Sequence, residues 1–305
     1  MNKPKRDFLF LSDLSLAESR RVLDLAKTMK AELVTNPSAR TNMFRGRAVA
    51  IVMEKASTRT RVSFEIGAAQ LGLHPTILTS QGTQLARGES VSDTGRQLSR
   101  WCDLIVFRTS THARLEEMAK SSTSPVINGL TDIGHPMQVL CDVFTIEEHF
   151  GRSIEGMRVA WVGDGSSNMA RSFVEASAIF GFELRVAGPA AYVSPDRGSA
   201  HFTTDAREAI LGADVVCTDV WTSMGQEEEN QKRLKDFAGW TLDETMLAHA
   251  KPTAIVMHCL PAHRGEEISA SVIDGARSKV WDQSENRLHV QKALMAFLLM
   301  ERGLG

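Results

Sequence analysis

Short apolar runs, each closed by a polar or glycine-bearing turn and followed by a helical pattern, recur along the chain and limit its fold more than any other feature. AVAIVM (48–53) is the first; a run this short and this continuously apolar predicts a strand buried on both faces. Further runs stand at 76–78 and 104–107, with helical stretches expected at about 60–71, 91–101 and 112–120. The rhythm restarts with RVAWVG (158–163), a helix over Asn168–Phe180, and ELRVAG (183–188). DVVCTD (214–219) and AIVMHC (254–259) follow, separated by an acidic stretch through Glu227–Glu229 and a helix around Leu242–His249. Strand alternating with helix predicts parallel sheets covered by helices, an α/β fold.

Three further helices frame this pattern. Ser15 and Glu18 have capping-box spacing and open a helix that runs to about residue 34. Pro136–Phe150 begins with proline and carries Val139, Leu140, Val143, Phe144 and Ile146 on a helical repeat, which makes it the expected crossing between domains. Glu285–Leu304 is the last helix, closing the second domain or returning to the first. A chain of 305 residues is near the length at which one core divides. The expectation is two parallel-sheet α/β domains linked by helices, over 1–135 and 136–285, with a Rossmann-like second domain; no repeat of 20–50 residues suggests a solenoid.

Composition narrows the partners. With 35 basic and 37 acidic side chains the formal charge is -2, which favours neither nucleic acid nor another polyanion, so any anion must be held by local groups. Cys102, Cys141, Cys217 and Cys259 are scattered without a CxxC pair, as expected of reduced thiols in a cytoplasmic protein. The N-terminus lacks the apolar stretch of a signal peptide, and no run reaches the ~18 apolar residues of a membrane span.

Polar groups gather where the apolar runs end. KASTRTR (55–61) lies between a strand and a helix, where backbone N–H groups, the hydroxyls of Ser57, Thr58 and Thr60, and the Arg59 guanidinium suit a phosphoryl group. The competing reading is a helix cap with solvent-facing arginines. No P-loop lysine signature is present, so a small phosphate ester fits better than ATP. Arg108 ends its strand as a second phosphate clamp or a solvated terminus, while His135 and Gln138 share one side of a first helical turn and suit a planar carbamoyl-like unit. WVGDGSSNMA (161–170) is a weak dinucleotide fingerprint; its Asn168 is a substrate contact or a helix cap. DVWTSMG (219–225) offers Asp219 to an ammonium group, with Ser223 in support, or is a packed hinge. HCLPAHRGEE (258–267) leaves three readings open: a zinc site using His258, Cys259 and His263, a nucleophilic cysteine, or a polar mouth that binds substrate. Strand alternation is expected to keep His258 and Cys259 on opposite faces.

Taken in order, Ser57-Thr58-Arg59-Thr60 with Arg61, His135-Pro136-x-Gln138, Asp219-x-x-x-Ser223-Met224-Gly225 and His258-Cys259-Leu260-Pro261 resemble the aspartate/ornithine carbamoyltransferase family across nearly the whole chain. The resemblance implies transfer of a carbamoyl group from carbamoyl phosphate to an amine, by a homotrimer or a larger assembly of trimers, with active sites between subunits and between domains. It implies a carbamoyl-phosphate domain over 1–135, with the helix 286–305 returning to it, and an amino-acid domain over 136–285. Carried over by residue, it assigns Ser57, Thr58, Arg59, Thr60 and Arg108 to the phosphate, His135 and Gln138 to the carbamoyl group, and Gln84 to a neighbouring subunit's carbamoyl phosphate. Cys259 and Leu260 would line the reacting centre, and Arg287 would complete the donor site. Asn168, Asp219, Ser223 and Met224, the last through its backbone, would hold the acceptor. Arg108, His135 and Cys259 are the expected catalytic groups.

The loop at 79–90 has Arg87 but no lysine, unlike aspartate-using relatives, and the SMG pattern implies ornithine rather than a dicarboxylate, putrescine or acetylornithine. Arginine biosynthesis is the role that the resemblance implies. The expected mechanism needs no metal, nucleotide, other cofactor or covalent cysteine intermediate, and no nucleic-acid or membrane partner.

Overall fold

The computed structural model describes residues 4–36, 42–194, 198–222 and 229–304. Two compact units emerge, Met1–Leu140 with Asn286–Gly305, and Cys141–Glu285. Among the described residues no helix is long and apolar enough to cross a membrane.

The first unit is built on strands β1 (Ala48–Met53), β2 (His74–Thr79), β3 (Leu104–Arg108) and β4 (Val126–Leu130), and on helices α1 (Leu16–Thr35), α2 (Thr58–Gln70), α3 (Val91–Trp101) and α4 (His112–Ser121). Its sheet is parallel throughout, in the order β2-β1-β3-β4. Residues 49–53 and 104–108 are all buried, which is why these strands read as unbroken apolar runs. Ala50, Val52, Ile105 and Phe107 pack with Leu98 of α3 and Leu115 and Met118 of α4 on one face. Helix α5 (Pro136–Phe150) crosses the division between Leu140 and Cys141.

The second unit contains β5 (Arg158–Val162), α6 (Asn168–Phe180), β6 (Glu183–Ala187), β7 (His201–Thr203), α7 (Ala206–Ile210), β8 (Val215–Thr218), α8 (Asn230–Asp236), α9 (Glu244–Leu247), β9 (Ile255–His258) and α10 (Ala270–Ile273). Its parallel sheet has the order β7-β6-β5-β8-β9. Numbered within the unit this is 3-2-1-4-5, the Rossmann arrangement without its sixth strand. Ala160, Val162, Val216 and Val256 pack with Ile210, Val272 and Ile273. Helix α11 (Val280–Glu301) crosses back at Glu285/Asn286, and its first-unit part lies against α2: Leu288, Lys292 and Met295 crowd Gly67, and the Lys292 Nζ donates to Gln70 Oε1 at 3.0 Å.

The α/β class with two parallel sheets is as the sequence predicts, and several elements add to it. β4 contains Asn128-Gly129, a turn signal, yet is a strand: glycine costs about 0.5–1 kcal/mol there, while burying Val126 and Ile127 gains about 1.5–3 kcal/mol each. β7, α7, α8 and α10 are too short to show a period, and the helix expected over Leu242–His249 contracts to Glu244–Leu247.

In sheets of this kind ligands collect beyond the carboxyl ends of the strands where the strand order reverses. That point lies between β1 and β3 in the first unit and between β5 and β8 in the second.

Candidate active site

At the first reversal, β1 leads into α2. Ser57 is the N-cap, its Oγ accepting from the Thr60 N–H at 3.3 Å and donating to Thr60 Oγ1 at 3.1 Å. The helix-cap reading is therefore correct for Ser57 and compatible with an anion site, since Thr58 and Arg59 still open the first turn at the positive end of the helix. Fully buried Thr60 also accepts from Arg287 Nη2 of α11 at 2.8 Å and, at the long distance of 3.5 Å, from Arg108 Nη1.

Arg108 is aimed by an irregularity. The β3/β4 register shifts between Phe107 and Arg108, and Leu130 opposite has φ 149. A bulge of this kind redirects a side chain at a sheet end; the Leu130 N–H is taken by Asn128 Oδ1 at 2.9 Å.

His135 is buried beside these groups, and Gln138 lies three residues on, inside α5. Burial, followed by the charges of Arg287, Arg108 and Arg59, holds the imidazole well below its ordinary pKa. The ring is thus neutral near pH 7, and three guanidiniums surround it at a helix N-terminus. Such a concentration of like charge favours a dianion that also hydrogen-bonds through planar forks. Ser57, Thr58, Arg59, Thr60, Arg108, His135, Gln138 and Arg287 all belong to this region of the first unit, whereas Gln84 is exposed on the separate 3-10 turn Gln84–Arg87.

Beside the second reversal, Asp219 follows β8 and Cys259 follows the adjacent β9, and the Cys259 thiol donates to Asp219 Oδ1 at 3.2 Å. Burial pushes the Asp219 carboxyl up, while the hydrogen bonds from Cys259 and the Val220 N–H pull it back. His258 Nδ1 accepts from the Leu260 N–H at 2.8 Å, so its ring proton is on Nε2, which donates to Glu267 Oε1 at 3.0 Å with both side chains fully enclosed. Leu260 is left-handed, φ 58.

The expected separation of His258 and Cys259 does not occur. Ligand atoms of Asp219, His258 and Cys259 lie within 4.8 Å of one another, because Cys259 stands past the strand's end, where alternation no longer holds. Both ring nitrogens of His258 are engaged, however, which leaves Asp219 and Cys259, fewer than the three or four donors zinc takes. A small gap beside this pair, lined by Cys259, Thr218, Met257, Met169 and Trp161 among others, is no larger than a water molecule, so it is a packing gap and not itself a ligand pocket.

Asn168 is the first residue of α6, and the cap is Ser167, whose Oγ accepts from Ala170 N–H at 3.2 Å; Asn168 is therefore not the cap. The neighbouring glycine turn does not suit a dinucleotide. A Cβ on Gly165 would meet Tyr192 O and Val186 Cγ1, both at 3.0 Å, so that glycine makes room for protein rather than for a pyrophosphate. Ser223 and Met224 lie outside the described residues.

Sequence reading misses two supporting pairs. Asp164 of the glycine turn accepts from Arg233 Nη1 at 2.6 Å, both side chains buried, and Arg233 also donates to Trp221 O at 2.8 Å. Gln283 donates to Asp142 Oδ1 at 2.8 Å and accepts from the His258 N–H at 3.0 Å. Asp142, a carboxylate inside the apolar run of α5, was the one local signal for the second pair, and nothing local marks the first.

Known proteins share this pattern. The profile described as the carbamoyl-P binding domain of aspartate/ornithine carbamoyltransferase matches residues 6–148, and that of the Asp/Orn binding domain matches 155–298. An ornithine carbamoyltransferase of Sorangium cellulosum is 56% identical over 97% of this chain and 98% of its own, and one from Geobacter sulfurreducens is 47% identical over 96% and 99%. The crystal structure of the Burkholderia thailandensis ornithine carbamoyltransferase superposes with a TM-score of 0.89 at 44% identity, covering 97% of this chain and 99% of that one. That of Pyrococcus furiosus gives 0.90 at 43%, covering 97% and 98%. The chain belongs to the aspartate/ornithine carbamoyltransferase family.

Proposed function

We propose that this enzyme transfers the carbamoyl group of carbamoyl phosphate to the side-chain amine of L-ornithine, giving L-citrulline and phosphate, in the cytoplasm and in the service of arginine biosynthesis. The observation that carries the proposal is the convergence of Arg59, Arg108 and Arg287 on neutral His135 at the N-terminus of α2. Relatives of up to 56% identity named ornithine carbamoyltransferase support ornithine as the acceptor.

In this reading the phosphoryl oxygens sit on Ser57, Thr58, Arg59 and Thr60, and the carbonyl oxygen faces His135 and Arg108, with Gln138 on the carbamoyl amide and Arg287 completing the donor site. Asp219 and Asn168, with Ser223 and the Met224 backbone, hold the α-amino and α-carboxylate ends of ornithine. Cys259 and Leu260 line the reacting centre. Residues 1–135 and 286–305 serve the donor, and 136–285 the acceptor.

The attacking amine must be neutral. With a lysine-like pKa of about 10.4, deprotonation at pH 7 costs on the order of 4–5 kcal/mol. Desolvation lowers that cost, and keeping Asp219 on the α-amine avoids raising it. Nitrogen adds to the carbonyl carbon, and the oxyanion is met by Arg108 and a hydrogen bond from His135. The bond between the carbonyl carbon and the bridging oxygen then breaks, with its electron pair leaving on phosphate, whose charge meets Arg59 and the α2 N-terminus. The proton lost by the amine passes to the released phosphate.

Colorimetric citrulline formation tests this directly. Ornithine should be carbamoylated, while aspartate, putrescine and N-acetylornithine should give little product; no citrulline from carbamoyl phosphate and ornithine would overturn the proposal.

A further inference from the structure

Arg108 needs its backbone fixed as well as its side chain, and one acidic residue outside the family motif quoted above is placed to do this. Glu54 follows β1 directly and stands three residues before the N-cap Ser57. Its N–H donates to Arg108 O at 2.9 Å, extending the β1/β3 ladder by one bond beyond the Met53–Arg108 pair. Its carboxylate accepts the hydroxyl proton of Thr109, the residue after Arg108, and a two-pronged grip from Arg114 of α4, with Nε at 3.1 Å from Oε2. Thr109 is fully buried, and its N–H donates to Leu130 O at 3.1 Å, at the bulge. One side chain thus ties the end of β1, the turn after β3 and the start of α4, the three segments that set the distance from the α2 N-terminus to Arg108.

The charge is placed with equal care. A carboxylate one residue away in space from an anion-binding arginine would draw that guanidinium toward itself. Arg114 takes up the charge of Glu54 instead, so the carboxylate can hold the backbone while Arg108 reaches Thr60 and the Gly129 carbonyl.

We propose that Glu54 is the positioning residue of the carbamoyl-phosphate site, setting Arg108 through Thr109 without touching substrate; this rests on the carbamoyl-transfer reading above. Steady-state kinetics of the full chain test it. Glu54→Ala should raise KM for carbamoyl phosphate about tenfold and leave KM for ornithine within about twofold, while Glu54→Gln, which still accepts from Thr109, should restore most of the loss. Arg114→Ala should give a smaller rise in the same constant. In an Arg108→Ala background, Glu54→Ala should cost nothing further, since its effect runs through Arg108. Unchanged KM values with only a lower melting temperature, or full additivity with Arg108→Ala, would overturn the assignment. If Glu54→Ala does not fold, Arg114→Ala, alone and in the Arg108→Ala background, carries the same comparison. Wild-type protein that makes no citrulline would instead overturn the carbamoyl-transfer reading. Calorimetric binding of inorganic phosphate, weakened by Glu54→Ala if Glu54 sets Arg108 and unchanged if it does not, then decides the role of Glu54 separately.

Discussion

A Cβ at position 129 would stand 3.1 Å from Cβ of Arg108 and 3.3 Å from Phe107 O, so Gly129 is the space into which the Arg108 stem fits. Gly129→Ala should therefore displace Arg108 and raise KM for carbamoyl phosphate several-fold. The folded chain should lose no more than the ~1–3 kcal/mol of an overpacked site, measured by urea denaturation. His135 gives a second prediction at this scale. Its folded pKa is depressed, by burial first and by three arginines next. As pH falls through 6.5 the unfolded chain takes up a proton there and the folded chain does not, so stability is full above that pH and declines below it. His135→Gln should lose less stability than wild type between pH 7.5 and 5.5 in urea titrations at the two pH values. Residues such as Arg59, Arg108, Asp219 and Cys259 could be singled out from sequence because they stand at the ends of apolar runs. Arg233 could not: its partner Asp164 is 69 positions away, and nothing local marks the pair.

Among elements, the long buried strands and the helices of more than ten residues were legible because burial on both faces, or a helical repeat, writes itself into residue order. The capping box of α1 was legible too, with Ser15 accepting from Glu18 N–H and Glu18 accepting from Ser15 N–H at 2.9 Å. Ser15→Ala should cost about 1 kcal/mol in chemical denaturation. β4, β7 and α8 escaped because an Asn-Gly pair interrupts one and the others span only a turn or a few residues. α8 matters despite its length: through Arg233 it ties the segment after β8, at Trp221 O, to the turn after β5, at Asp164. Arg233→Met leaves Asp164 buried without its cation and should cost about 3–5 kcal/mol. A rise in KM for ornithine with KM for carbamoyl phosphate unchanged would show that this tie sets the distance between Asn168 and Asp219.

For the whole molecule, a net charge of -2 gives no general attraction for anions, so affinity for carbamoyl phosphate has to come from the local cluster. The homotrimer that the sequence resemblance implies would draw Gln84, exposed in this chain, from a neighbouring subunit. Its mass in sedimentation should be about three times 33.5 kDa or a multiple of that. Co-expressing the inactive variants Arg59→Ala and Gln84→Ala should then recover activity, because some mixed assemblies contain sites with both native residues; no recovery would argue for sites completed within one chain. Assembly had no signature in composition or periodicity, since surface apolar residues are ordinary in monomers. The arginine cluster around His135 and the Asp219–Cys259 pair stand on separate sheets with separate cores. A chimera that exchanges only the segments after β8 and β9 could thus accept a new nucleophile while inheriting phosphate chemistry intact, a division of labour open to recombination as well as to point mutation.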